Sequence, residues 1–176
     1  MHALRNYSVV TAVYWSFTLT DGALRMLVLL HFHTLGYSPI QLALLFLLYE
    51  FFGIVTNLVG GWVASRLGLT VTLWAGTVLQ IAALLMLVGL DPHWGVALST
   101  TYVMAAQALS GIAKDLTKMS AKSAIKVLVP DDQQSSLFTW VALLTGSKNA
   151  LKGVGFFLGG LLLAMLGFNP SLIAMA

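Results

Sequence analysis

The sequence predicts an all-α integral membrane protein, and three observations carry that expectation. Charged residues make up 9% of the 176-residue chain and hydrophobic ones 59%, against roughly 25% charged in a soluble globular domain. So few charges cannot cover a water-facing surface, so most side chains must face lipid or other helices. Apolar stretches near the roughly 20 residues that a helix needs to cross a hydrocarbon core recur along the chain. Six of the nine lysines and arginines fall at alternate ends of these stretches and none at the opposite ends, the asymmetry that sets membrane orientation.

Five segments qualify as spans, and a sixth begins. The first runs from about Asn6 to Leu35 and the second from about Pro39 to Ala64, separated by Gly36-Tyr37-Ser38-Pro39. The third covers Leu69 to Leu90 after Arg66-Leu67-Gly68, and the fourth covers Trp94 to about Leu116 after Asp91-Pro92. The fifth follows Pro130-Asp131-Asp132 and occupies 133–166, ending at Gly167-Phe168-Asn169-Pro170. Glycine and proline punctuate helices in this way because neither continues one readily. A sixth segment starts at Ser171 and stops at Ala176, so the chain reads as truncated, a single domain of helices whose C-terminal half is absent.

If the five spans alternate, Arg5, Arg66, Lys114, Lys118, Lys122 and Lys126 share one side, and the opposite loops near Gly36, Asp91 and Gly167 hold no lysine or arginine. The N-terminus and a loop from Ser120 to Gln134 are therefore expected in the cytoplasm. A net charge of +3 reads as topology and not as a nucleic-acid surface. Lys114, Lys118, Lys122 and Lys126 recur every four residues, a row that drifts only about 40° per step and so keeps to one helix face. It reads as a solvated cytoplasmic extension of the fourth span, or as cavity-facing charge at Lys114 or Lys118.

Five charges fall well inside spans: Asp21, Arg25, Glu50, Lys148 and Lys152. Each costs roughly 2.5–3.5 kcal/mol at the bilayer centre on insertion scales, so each should face protein or water. Asp21 and Arg25 are spaced i,i+4 with the acid first, the favourable order for a helical ion pair. Lys148 and Lys152 have the same spacing but like charge, which repels. Something negative should face them, either Glu50 and Asp21 or a bound anion gathered with Arg25. Glu50 lies among Leu47, Leu48, Tyr49, Phe51 and Phe52. Desolvation there would favour its neutral form, which makes it a candidate coupling residue or a hydrogen-bonded structural one. Asn57, Gln80 and Gln107 read as glue between helices.

No catalytic constellation, phosphate loop or metal-spaced histidine pair is evident, so neither an enzyme nor a cofactor is expected. The chain has no cysteine, so no disulfide or thiolate metal site can form. His31 and His33 lie two apart and so on different faces, read as interface residues before metal ligands.

The string Gly61-Trp62-Val63-Ala64-Ser65-Arg66-Leu67-Gly68 resembles the helix 2–3 loop signature of the major facilitator superfamily. Gly61, Arg66 and Gly68 match it, and Ser65 replaces the acid. Gly155-Phe156-Phe157-Leu158-Gly159-Gly160 is similar to the glycine motif of helix five in the antiporter branch, with Phe156 where proline is usual. A closer resemblance, over nearly the whole chain, is to the ArsJ group of organoarsenical efflux permeases. It is carried by Phe17 to Arg25, Val55 to Trp62, Ala106 to Leu116 and Gly146 to Gly153.

The resemblance implies the N-terminal domain of a major facilitator transporter in a bacterial inner membrane, working by alternating access. It implies export of 1-arseno-3-phosphoglycerate and a functional link to glyceraldehyde-3-phosphate dehydrogenase, which makes that ester. Arg25, Lys148 and Lys152, with Asp21 orienting Arg25, would then contact the anion. The rivals are a carrier of another organic phosphate or anionic drug, and a non-transporting membrane scaffold.

Overall fold

In a computed structural model of the chain, the backbone is described for 2–128 and 134–176, and the side chains for 8–124, 138, 139 and 141–176. Arg5, Lys126 and the Pro130-Asp131-Asp132 turn lie outside the described side chains. The described residues form helices α1 (His2–Thr34), α2 (Pro39–Leu45), α3 (Leu47–Leu67), α4 (Leu69–Val88), α5 (Val96–Leu128), α6 (Gln134–Leu166) and α7 (Phe168–Met175).

The helix boundaries have local causes. Ser38 caps α2 in a reciprocal capping box with Gln41, and Pro39 follows at the first helical position, where its missing N–H costs nothing. At Phe46 the backbone N–H turns to Ala43 and Leu44, separating α2 from α3. Gly68, at φ 87°, is the single residue between α3 and α4, and Gly167, at φ 81°, joins α6 to α7. Both angles lie in the left-handed region that glycine alone enters freely. Between α4 and α5, Asp91 accepts the His93 backbone N–H at 2.8 Å and lies 2.9 Å from its Nδ1. The backbone bond in particular holds the Asp91 carboxyl below the usual carboxylate range.

Four stretches are long and apolar enough to cross a membrane: Pro39–Leu67 (α2 with α3), Leu69–Val88, Val96–Ala124 and Val141–Leu166. Helix α1 was expected as a fifth and is not among them. Asp21, Arg25, His31, His33 and a series of hydroxyl residues dilute its apolar character. One face of α1 is nevertheless buried, with Leu24, Leu27 and Val28 wholly covered, because α1 packs along α6 and against α5. Helix α5 corrects a second expectation. It continues from Val96 to Leu128, so 120–128 is helix and not loop. At about 1.5 Å per residue its 33 residues measure about 50 Å, well beyond a hydrocarbon core of about 30 Å.

Small residues set how closely the helices cross. A Cβ on Gly159 would strike the Ala23 backbone, and one on Gly155 would lie 2.6 Å from the Leu19 carbonyl oxygen. The helix-six glycines thus let α6 lie directly on α1. Gly111 on α5 does the same for α3, where a Cβ would meet the Tyr49 backbone. Gly160 meets only the Leu30 side chain, at 3.5 Å. Ser110 donates to Gln80 at 2.8 Å and Ser120 to Thr72 at 2.7 Å, tying α4 to α5. Gln107, fully buried, has no hydrogen-bond partner.

Candidate anion-binding cavity

The close crossings bring α1, α3, α5 and α6 around one cavity of about 260 Å³, slightly below the roughly 300–1,000 Å³ of drug-sized sites. Its wall contains all five charges singled out inside spans, Asp21, Arg25, Glu50, Lys148 and Lys152, and adds Lys114, Asp115 and Lys118. Five cations and three carboxylates leave a formal excess of two positive charges.

The pairing inside the cavity differs from the local pairing suggested by the sequence. Asp21 is buried and accepts the Tyr49 hydroxyl at 2.7 Å. Arg25 does not bridge to Asp21; its Nη2 lies 3.1 Å from Glu50 Oε1. Its guanidinium sits over the Tyr49 ring at 4.6 Å and near Phe46 at 5.4 Å. The i,i+4 spacing brings Asp21 and Arg25 onto one side of α1, but α3 supplies both of their partners.

Glu50 is not enclosed among its apolar neighbours. Its side chain is 54% exposed and spans two cations, Arg25 and Lys114, the latter at 3.6 Å. The apolar enclosure expected around Glu50 is therefore not formed. Asp115 is the most heavily engaged acid. It accepts Asn57 Nδ2 at 2.9 Å and pairs with Lys118 at 3.2 Å and Lys114 at 3.6 Å.

Lys148 and Lys152 are the exceptions. Both side chains are half-buried, and among the described residues neither has a carboxylate within the 4.0 Å that defines an ion pair. The acids that were candidates to neutralise them are committed to other partners. The Lys152 ammonium lies 5.7 Å from the centre of the Phe156 ring. Tyr14 lines the same cavity, and its buried hydroxyl has no hydrogen-bond partner at bonding distance among the described residues.

Chemically the cavity has free cationic and hydroxyl donors beside an internally neutralised cluster. Donors of this kind suit an oxyanion. Among the described residues lining it, none is a nucleophile paired with a base.

No family model, curated protein or solved structure matches the chain.

The remaining sequence candidates lie elsewhere. Gly61, Arg66 and Gly68 sit at the α3–α4 joint, away from the cavity wall. Arg66 lies over the Trp62 ring at 5.7 Å, and Ser65 donates to the Trp62 carbonyl at 2.7 Å. Gly155, Gly159 and Gly160 act at or beside the α1–α6 crossing, which sets Lys152 next to Gly22. His31 stacks on Phe168 at 3.9 Å, a contact between α1 and α7.

Sequence reasoning did not commit to Lys114, Lys118, Asp115 or Tyr49. A signal existed for three of them. Asp115 interrupts an apolar run beside Lys114, and Lys118 falls one turn later on the same face. Tyr49 gives no such sign, because an aromatic residue in an apolar helix looks like packing.

Proposed function

We propose that the chain is the N-terminal half of a membrane transporter that exports a small organic polyanion. Its resemblance to the ArsJ group suggests 1-arseno-3-phosphoglycerate as the cargo. The observation that carries the reading is the pair Lys148 and Lys152, held one turn apart with no carboxylate in ion-pair contact among the described residues. Like charges one helical turn apart repel, and an anion bound between them removes that cost. A scaffold has no use for unneutralised cations at such a site. The four apolar spans supply the membrane setting, and a cavity open between helices suits alternating access against a second half.

The test is arsenic retention in arsenate-fed cells expressing the chain together with the C-terminal half that the reading requires. Co-expressed glyceraldehyde-3-phosphate dehydrogenase is expected to lower retention, and omitting it should abolish the effect. Equal protection without the dehydrogenase would reject the organoarsenical cargo in favour of inorganic oxyanion export.

A further inference from the structure

The carboxylate of Glu50 occupies an unusual place in the cavity. It comes from α3, yet its two oxygens reach Arg25 on α1 at 3.1 Å and Lys114 on α5 at 3.6 Å. Despite two cationic partners its side chain is 54% exposed, so it projects into open space and is not sealed into a wall. Asp115, by contrast, is 2% exposed at its side chain and is fixed by Asn57, Lys114 and Lys118. An ion pair whose acid is this exposed is held weakly. Arg25 is nevertheless positioned with care, its guanidinium set over the Tyr49 ring at 4.6 Å.

We propose that Glu50 is a built-in stand-in for one anionic group of the ligand. The cavity then has two anion positions. One, at Lys148 and Lys152, is open. The other, at Arg25 and Lys114, is filled by Glu50 until the ligand displaces it. The ligand class follows: a small molecule with two anionic groups, one for each position within the same cavity. A ligand with a single anionic group occupies the lysine position and leaves Glu50 in place. This deepens the anion-transporter reading and rests on its assignment of the cavity, though not on any arsenic chemistry.

Displacement makes a prediction opposite in sign to a contact role. Removing the competing carboxylate frees Arg25 and Lys114, so Glu50→Gln should bind a bis-anion more tightly, by about two- to fivefold. A glutamate that serves to hold the cations in position would, when lost, weaken binding. The measurement is calorimetric titration of the purified chain in lipid nanodiscs with two probes, 3-phosphoglycerate and inorganic phosphate. The wild type should favour 3-phosphoglycerate, and Glu50→Gln should widen that preference. Glu50→Ala provides the same comparison if the glutamine variant does not insert.

Weaker binding of 3-phosphoglycerate by both variants overturns the displacement, as does an equal gain for both probes, which is only a rise in general positive potential. Absence of binding by either probe overturns the anion cavity itself. Tight, Glu50-limited binding together with failed arsenic export in cells would leave the displacement standing and reject the organoarsenical cargo.

Discussion

Asp21 and Glu50 are both acids inside apolar helices, and the structure gives them opposite energetic roles. Asp21 is buried with the Tyr49 hydroxyl as its donor, and a buried polar group that loses its partner costs about 1–3 kcal/mol. Tyr49→Phe should therefore lower stability by about that amount, seen as an earlier thermal unfolding transition in detergent. Lys148→Gln and Lys152→Gln should leave the transition nearly unchanged. Neither lysine has a carboxylate to strand, and each change relieves a like-charge repulsion of roughly 0.2–0.5 kcal/mol. Transport should nevertheless fail in both. A stability loss in the lysine variants that is restored by also removing an acid would show internal pairing and sink the anion site. These five interior charges were legible in the sequence because charge in an apolar run is costly wherever it lies. Their partners were not. Spacing along α1 shows that Asp21 and Arg25 share a side, but not that Tyr49 and Glu50 approach from α3.

At the scale of the element, the α1–α6 crossing depends on atoms that are missing. Gly159 faces the Ala23 backbone and Gly155 faces Leu19 and Gly22. Backbone cannot rotate aside as a side chain can, so Gly159→Ala must push the helices apart. Overpacking of this kind typically costs about 1–3 kcal/mol, and in a membrane the loss falls on the small-residue contacts that hold helices together. Gly153, on the same helix with nothing within 4 Å, is the control. There alanine should be tolerated or stabilising, since glycine costs a helix up to about 1 kcal/mol relative to alanine. Equal destabilisation by the two substitutions would show that the crossing does not depend on Gly159. The long apolar helices were readable from hydropathy alone. Two features were not: the break at Phe46, which no proline or glycine marks, and how far α5 runs, since a loop was expected from Ser120 although the lysine row itself read as a helical extension.

Across the whole molecule, the helix ends sort into two layers. Ser120 on α5 donates to Thr72 near the start of α4, so the Gly68 joint and Arg66 lie at the same end as Lys118 and Lys122. At the other end Tyr102 donates to the Met86 carbonyl at 2.7 Å, and Phe32 meets Tyr37 and Phe168. That gathers the turns at 35–38, 89–95 and 167 together. The 20 residues of α4 that join the layers measure about 30 Å, the thickness of a hydrocarbon core. Every lysine and arginine in a described connecting region or helix extension lies in the first layer, and lysine- and arginine-rich ends stay in the cytoplasm. The chain has no cysteine, so single substitutions report without background. Ser65→Cys beside the Gly68 joint, and Ser123→Cys on the extension of α5, should react with a membrane-impermeant thiol reagent only after cells are permeabilised. His93→Cys, on a side chain 93% exposed in the opposite layer, should react in intact cells. Labelling of Ser65→Cys from outside with protection of His93→Cys would invert the molecule in the membrane. The cavity lysines would then open toward the wrong compartment for taking up a cytoplasmic anion, and the export reading would fall with the topology.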